Sequence, residues 1–113
     1  MKYTEINIKE DMTTVADTMQ FLKESIARLK RENYDVVLIR HGHKNDETGR
    51  DDEICIRARL WLEKQENEEN VQQVIWGEKF TLFHFIALTR TGKCSELEML
   101  FRTQDPDVTV VKL

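Results

Sequence analysis

Val36-Val37-Leu38-Ile39-Arg40-His41-Gly42 is the stretch on which the fold turns. Its first four side chains are β-branched or aliphatic without a polar break, the pattern of a strand buried on both faces in a largely parallel sheet. Upstream, Val15, Met19, Leu22, Ile26 and Leu29 recur at helical spacing, with Lys23, Arg28, Lys30 and Arg31 mostly off that stripe. Thr14 followed by Asp17 resembles a capping box, so a helix is expected over 13–33. Residues 3–8 alternate enough to form a short strand ahead of it. A helix leading from one strand into a buried second strand implies a right-handed crossover with the two strands parallel.

Downstream of Gly42 the character changes. Residues 40–53 carry no apolar side chain, which predicts a long loop. A second helix is expected over 52–65, capped by Asp51 or Asp52, with Ile54, Ala58, Trp61 and Leu62 on one face and Arg57, Arg59 and Lys64 pointing outward. Residues 71–76 and 108–113 read as two further strands, with Pro106, the only proline, turning the chain into the last one. Between them lies an aromatic-rich segment, 80–88, whose period is ambiguous, and a short helix at 95–101. The expected fold is α/β: a two-layer β-α-β-α-β-β domain over residues 1–113, with a four-stranded mixed sheet and two main helices. The strand at 36–40 is expected to be central, and Val36 to Ile39, Leu22, Ile26 and Trp61 to be buried.

The chain has 113 residues, 40% of them hydrophobic and 34% charged, as expected for one folded domain. Acidic side chains outnumber basic ones by 21 to 17. That excludes a uniformly basic, non-specific nucleic-acid binder, so any nucleic-acid contact has to come from a local cationic patch. The two cysteines, Cys55 and Cys94, have no nearby partner ligands and give no zinc pattern. Both read as buried small hydrophobes. The first residues lack an apolar signal core, and no apolar run is long enough to span a bilayer. A cytoplasmic protein with reduced thiols is expected.

Ligands of open α/β sheets bind beyond the carboxyl ends of the strands. The segment 40–50 follows the central strand and offers His41 and His43, the cations Arg40, Lys44 and Arg50, and the glycines Gly42 and Gly49. That mixture suits a phosphate group. Lys9, after the first strand, is expected at the same edge. The acids Asp46, Glu47, Asp51, Asp52 and Glu53 fit no calcium-loop spacing, and no metal site or cofactor is assigned. His84, among aromatic neighbours, reads as a packed histidine.

Two family resemblances follow from these residues. Val37-Leu38-Ile39-Arg40-His41-Gly42 looks like the opening motif of the histidine phosphatases, which would make His41 a phosphate acceptor. The second covers nearly the whole chain. The element order, Ile39-Arg40-His41-Gly42, Ile56-Arg57 with Trp61-Leu62, Ile75-Trp76-Gly77, and the closing strand resemble the small MutS-related (Smr) domain of stand-alone bacterial type. That family binds DNA or RNA, and many members cleave it. The resemblance therefore implies a nucleic-acid site at Lys9, Arg40, Gly42, His43, Lys44 and Arg50. In a weak or inactive endonuclease, His41 would be the remaining catalytic side chain. The family's Leu-Asp-x-His-Gly at the end of the first strand is here Ile6-Asn7-Ile8-Lys9-Glu10, which favours binding over cleavage because Asn7 cannot act as a general base. A third expectation is an interaction module that places a protein partner on the segment 80–88.

Overall fold

A computed structural model describes residues 1–8, 14–42, 50–90 and 92–113, with the side chains of 50–52 excepted. The expectations on Lys9, His43, Lys44 and the Arg50 side chain lie outside the described residues. In chain order the elements are β1 (Tyr3–Asn7), α1 (Val15–Arg31), β2 (Val36–Arg40), α2 (Arg50–Asn67), β3 (Gln73–Trp76), a 3-10 turn (Gly77–Lys79), α3 (Leu82–Leu88), α4 (Ser95–Thr103) and β4 (Val108–Lys112). No helix among the described residues is long and apolar enough to cross a membrane.

Local chemistry sets these boundaries. Thr14 accepts a hydrogen bond from the Asp17 amide at 3.0 Å and opens α1. Three cations, Arg28, Lys30 and Arg31, sit in its last turn, where they oppose the helix dipole. Asn33 then takes a left-handed conformation (φ 61), and the Tyr34 amide closes back on the Leu29 carbonyl at 3.0 Å. This is a Schellman ending with asparagine at the left-handed position. Helix α2 begins at Arg50, so Asp51 and Asp52 lie in its first turn rather than at its cap.

The four strands form one mixed sheet in the order β1-β2-β4-β3. β1 runs parallel to β2, while β4 is antiparallel to both of its neighbours. β2 is thus an interior strand, and its residues 36–39 are all buried, as the uninterrupted apolar run implied.

The expected α/β class and four-stranded mixed sheet are present, but the layers differ from the expected two. One sheet face, carrying Val37, Ile39 and Val111, packs against α1 through Leu22 and Ile26 and against α2 through Ile54 and Leu62. The other face, carrying Val36, Leu38, Ile75 and Val110, packs against α3 through Leu88 and α4 through Leu97 and Leu100. The ambiguous segment 80–88 resolves as a helix because the second face needed a cover: Phe80 and Leu88 are buried there, and Phe85 packs beside them. Trp61 is only partly buried, since it flanks the first cluster with Lys23 6.0 Å from its ring centroid.

Candidate functional site

The carboxyl end of β2 is built from polar residues that the fold has buried. His41 is 0% exposed. Its Nδ1 lies 2.5 Å from the Gly42 carbonyl, and its Nε2 lies 2.7 Å from Oγ1 of Thr109 on β4, itself fully buried. The Arg59 Nε donates to the same hydroxyl at 3.0 Å. These partners assign the protons: Thr109 accepts from Arg59 and donates to His41 Nε2, leaving His41 neutral with its proton on Nδ1. Burial pushes the His41 pKa down to about 4; the Gly42 carbonyl opposes the shift and the Arg59 charge adds to it.

Arg59 is the centre of this network, and it overturns the expectation that it points outward from α2. It is 7% exposed. Its two terminal nitrogens form a bidentate pair with Glu78, at 3.0 and 2.7 Å, and one of them also donates to the carbonyls of Pro106 and Val108. The guanidinium lies 4.6 Å from the Trp76 ring centroid. Burial alone would raise the Glu78 carboxyl, but its hydrogen bonds from Arg59 outweigh that and hold it below the ordinary carboxylate value. Gly77 makes the approach of Glu78 possible: a Cβ there would collide with the carbonyl oxygens of Asp105 and Val108.

The network fixes the root of the segment that leaves β2. The His41 and Gly42 amides both donate to the Asp107 carbonyl, at 3.0 and 3.1 Å, and Gly42 takes φ 74, a conformation glycine reaches without strain. β1 ends at the same edge, where the Ile8 amide donates to the Arg40 carbonyl at 3.0 Å.

Arg40 points to the opposite sheet face, toward α4. Its Nε meets Glu5 at 2.8 Å and its Nη1 meets Asp105 at 3.3 Å. These groups line an open cleft of about 280 Å³ between β1, β2 and α4, which also includes Glu96, Met99 and Thr103. Unlike Arg59, the Arg40 side chain stays 35% exposed.

The structure therefore brings Arg40, His41 and Gly42 together and gives them unlike roles. His41 has both ring nitrogens occupied and none facing solvent, so in this arrangement it can neither take up a phosphoryl group nor donate a proton to a bound substrate at neutral pH. His84 lies on α3, where its Nδ1 accepts from the Thr81 amide at 3.1 Å and its ring stacks on Phe80, a packed histidine as expected. Among the described residues there is no cluster of acids, histidines and cysteines that could hold a metal ion. The residues missed by sequence reasoning are Arg59, Glu78 and Thr109. Only the placement of Arg59 next to Ala58, on the buried side of α2, hinted at them. Compared with family models, with curated proteins and with solved structures, the chain matches none.

Proposed function

We propose that this domain binds nucleic acid, DNA or RNA, without cleaving it, at the sheet edge where β1 and β2 end. The observation that carries the reading is the parallel pairing of β1 with β2, which makes the segments following Ile8 and Gly42 leave the sheet at one end. Those segments hold Lys9, His43 and Lys44 in the sequence, Arg50 opens α2, and Arg40 is the last residue of β2. The order of the main elements agrees with that of the Smr resemblance, and the helices α3 and α4 are interposed before the last strand. A cytoplasmic setting with both thiols reduced fits this reading; Cys55 and Cys94 are both buried.

Phosphate neutralisation by a few cations is enough for salt-dependent binding, even in a chain of net charge -4, if the cations are gathered at one edge. The buried, neutral His41 supplies no general acid, so its part is to hold the root of the binding segment.

The test is fluorescence anisotropy with short single-stranded DNA, duplex DNA and hairpin RNA at low salt. The wild type should bind at least one of them. Replacing Lys44 and Arg50 with Ala should weaken binding and reduce the slope of log affinity against log salt by about one to two. No binding at low salt, or an unchanged slope in the double variant, rejects the site. Turnover of plasmid or structured RNA by the purified protein rejects the non-catalytic half of the reading.

A further inference from the structure

Among the described residues β1 and β3 are the two edges of the sheet. An edge strand offers a row of outward backbone donors and acceptors to any second strand, so folded proteins close such edges, often with charge. β1 carries Glu5 in its middle and Lys2 just before it. β3 (Gln73–Trp76) carries no charge at all. The run Val71-Gln72-Gln73-Val74-Ile75-Trp76 holds three β-branched residues and a tryptophan, with no charged residue, glycine or proline. Segments of about six residues with that composition are the ones that pair with copies of themselves.

Another element supplies the charge that β3 lacks. The Val74 amide donates to Oε2 of Glu66 at 2.6 Å. Glu66 lies in the last turn of α2, and the turn that follows holds it beside the strand. There the Glu69 amide donates to the Glu66 carbonyl at 3.0 Å, and the Asn70 amide to the Gln65 carbonyl at 2.9 Å. Backbone groups of successive strand residues turn to alternate sides, so the amide taken by Glu66 faces away from β4, and the Trp76 amide faces the same way. The Glu66 oxygen therefore occupies the place of a carbonyl on an added strand. A carboxylate is the stronger acceptor, so an arriving strand would have to displace the better partner.

We propose that β3 is a self-pairing edge, whose partner is the β3 of a second copy of this chain, and that Glu66 keeps it closed. Glu66 does so by taking the Val74 amide and by setting a negative charge beside the strand. Glu63, one turn earlier on α2, lines the same open groove of about 310 Å³, together with Trp76 and Lys79. A second copy pairing antiparallel on this edge is related by a two-fold axis perpendicular to the sheet, which keeps α2 of both copies on one sheet face. Glu63 and Glu66 then approach their own equivalents, and the like charges oppose the pairing. The inference rests on the β3 edge and on no part of the nucleic-acid reading.

Amide hydrogen exchange and sedimentation velocity on the full chain test this. In the wild type the Val74 amide should exchange slowly although it faces outward, and the protein should sediment without β3-mediated dimers. Glu66→Ala should speed Val74 exchange about tenfold or more in dilute solution. On concentration it should form a dimer in which the Val74 and Trp76 amides are protected again. Glu66→Gln keeps an acceptor oxygen and loses the charge, so it should dimerise at about tenfold higher concentration than the Ala variant. Adding Gln73→Glu to either variant puts a charge on the strand itself and should restore the monomer. Wild-type Val74 exchange as fast as that of an unstructured peptide overturns the proposal, and that outcome needs no variant to fold. So does a folded Glu66→Ala or Glu66→Gln protein that stays monomeric when concentrated, or a dimer that Gln73→Glu leaves intact.

Discussion

Two arginines stand at the same end of the sheet, on opposite faces, and the fold treats them in opposite ways. Arg59 is enclosed between α2, β4 and the 3-10 turn, with its side chain 9% exposed and its guanidinium bonded to a carboxylate, a hydroxyl and two carbonyls. Arg40 lies in an open cleft with its side chain 35% exposed and one contact to each of two carboxylates. Residue type and charge are the same in both. What differs is how deeply the guanidinium and the backbone and hydroxyl groups it bonds are buried. Removing Arg59 takes a donor from the fully buried Thr109 hydroxyl and Val108 carbonyl, whereas Glu5 and Asp105, like the partly exposed Glu78, can turn to water. The first arginine is therefore structural, and the second keeps the capacity to exchange a protein carboxylate for an external anion.

The largest effect should follow from Arg59→Met, which keeps the volume and removes the donors. Losing the bidentate pair with a partly exposed Glu78 and leaving the buried Thr109 hydroxyl and Val108 carbonyl short of a donor costs about 3 kcal/mol, read as a shift of the urea midpoint without a change of slope. A loss under about 1 kcal/mol would mean that water replaces the guanidinium and that the contrast with Arg40 is one of degree.

Next is the pH response of His41. In the unfolded chain the imidazole takes up a proton near pH 6.5, and in the fold only at about 4. Between those values the unfolded chain holds more protons, so the His41 contribution is full above pH 6.5 and is lost as pH falls toward 4. The difference corresponds to about 3 kcal/mol across the window. Urea unfolding at a series of pH values should show that slope in the wild type and lose it in His41→Gln. The lowered Glu78 carboxyl adds its own loss only in more acid solution, below its ordinary value of 4.5. A slope that survives in the variant would place the titrating group elsewhere.

The smallest effect is expected at Arg40. Arg40→Gln removes two partly exposed ion pairs and should cost about 1 kcal/mol or less by the same unfolding measurement. A cost equal to that at Arg59 would show that the cleft is as closed to water as the buried network.

Much of the fold was legible in the residues. The run Val36 to Ile39 can only be satisfied by a strand covered on both faces, and the stripe through Leu22, Ile26 and Leu29 by a helix lying on it. These signals are local, because burial of a periodic set of side chains is decided within one element. The segment 80–88 was illegible for the converse reason: with apolar residues at nearly every position, it satisfies helix and strand periods alike. It became a helix once the second face of the sheet had to be filled.

At the candidate site the sequence by itself placed Arg40, His41 and Gly42 at the end of the central strand, since chain direction and strand position suffice for that. It also determined that Lys9 and the segment after Gly42 follow two parallel strands. Only the tertiary structure decided that Arg59 is buried and that His41 is neutral. The Arg59 partners Glu78 and Thr109 lie 19 and 50 residues away along the chain, and His41 meets the same Thr109 from 68 residues away. An ionisable group takes its charge state from the groups and the dielectric around it in space, and one stretch of sequence carries no record of which distant residues those will be.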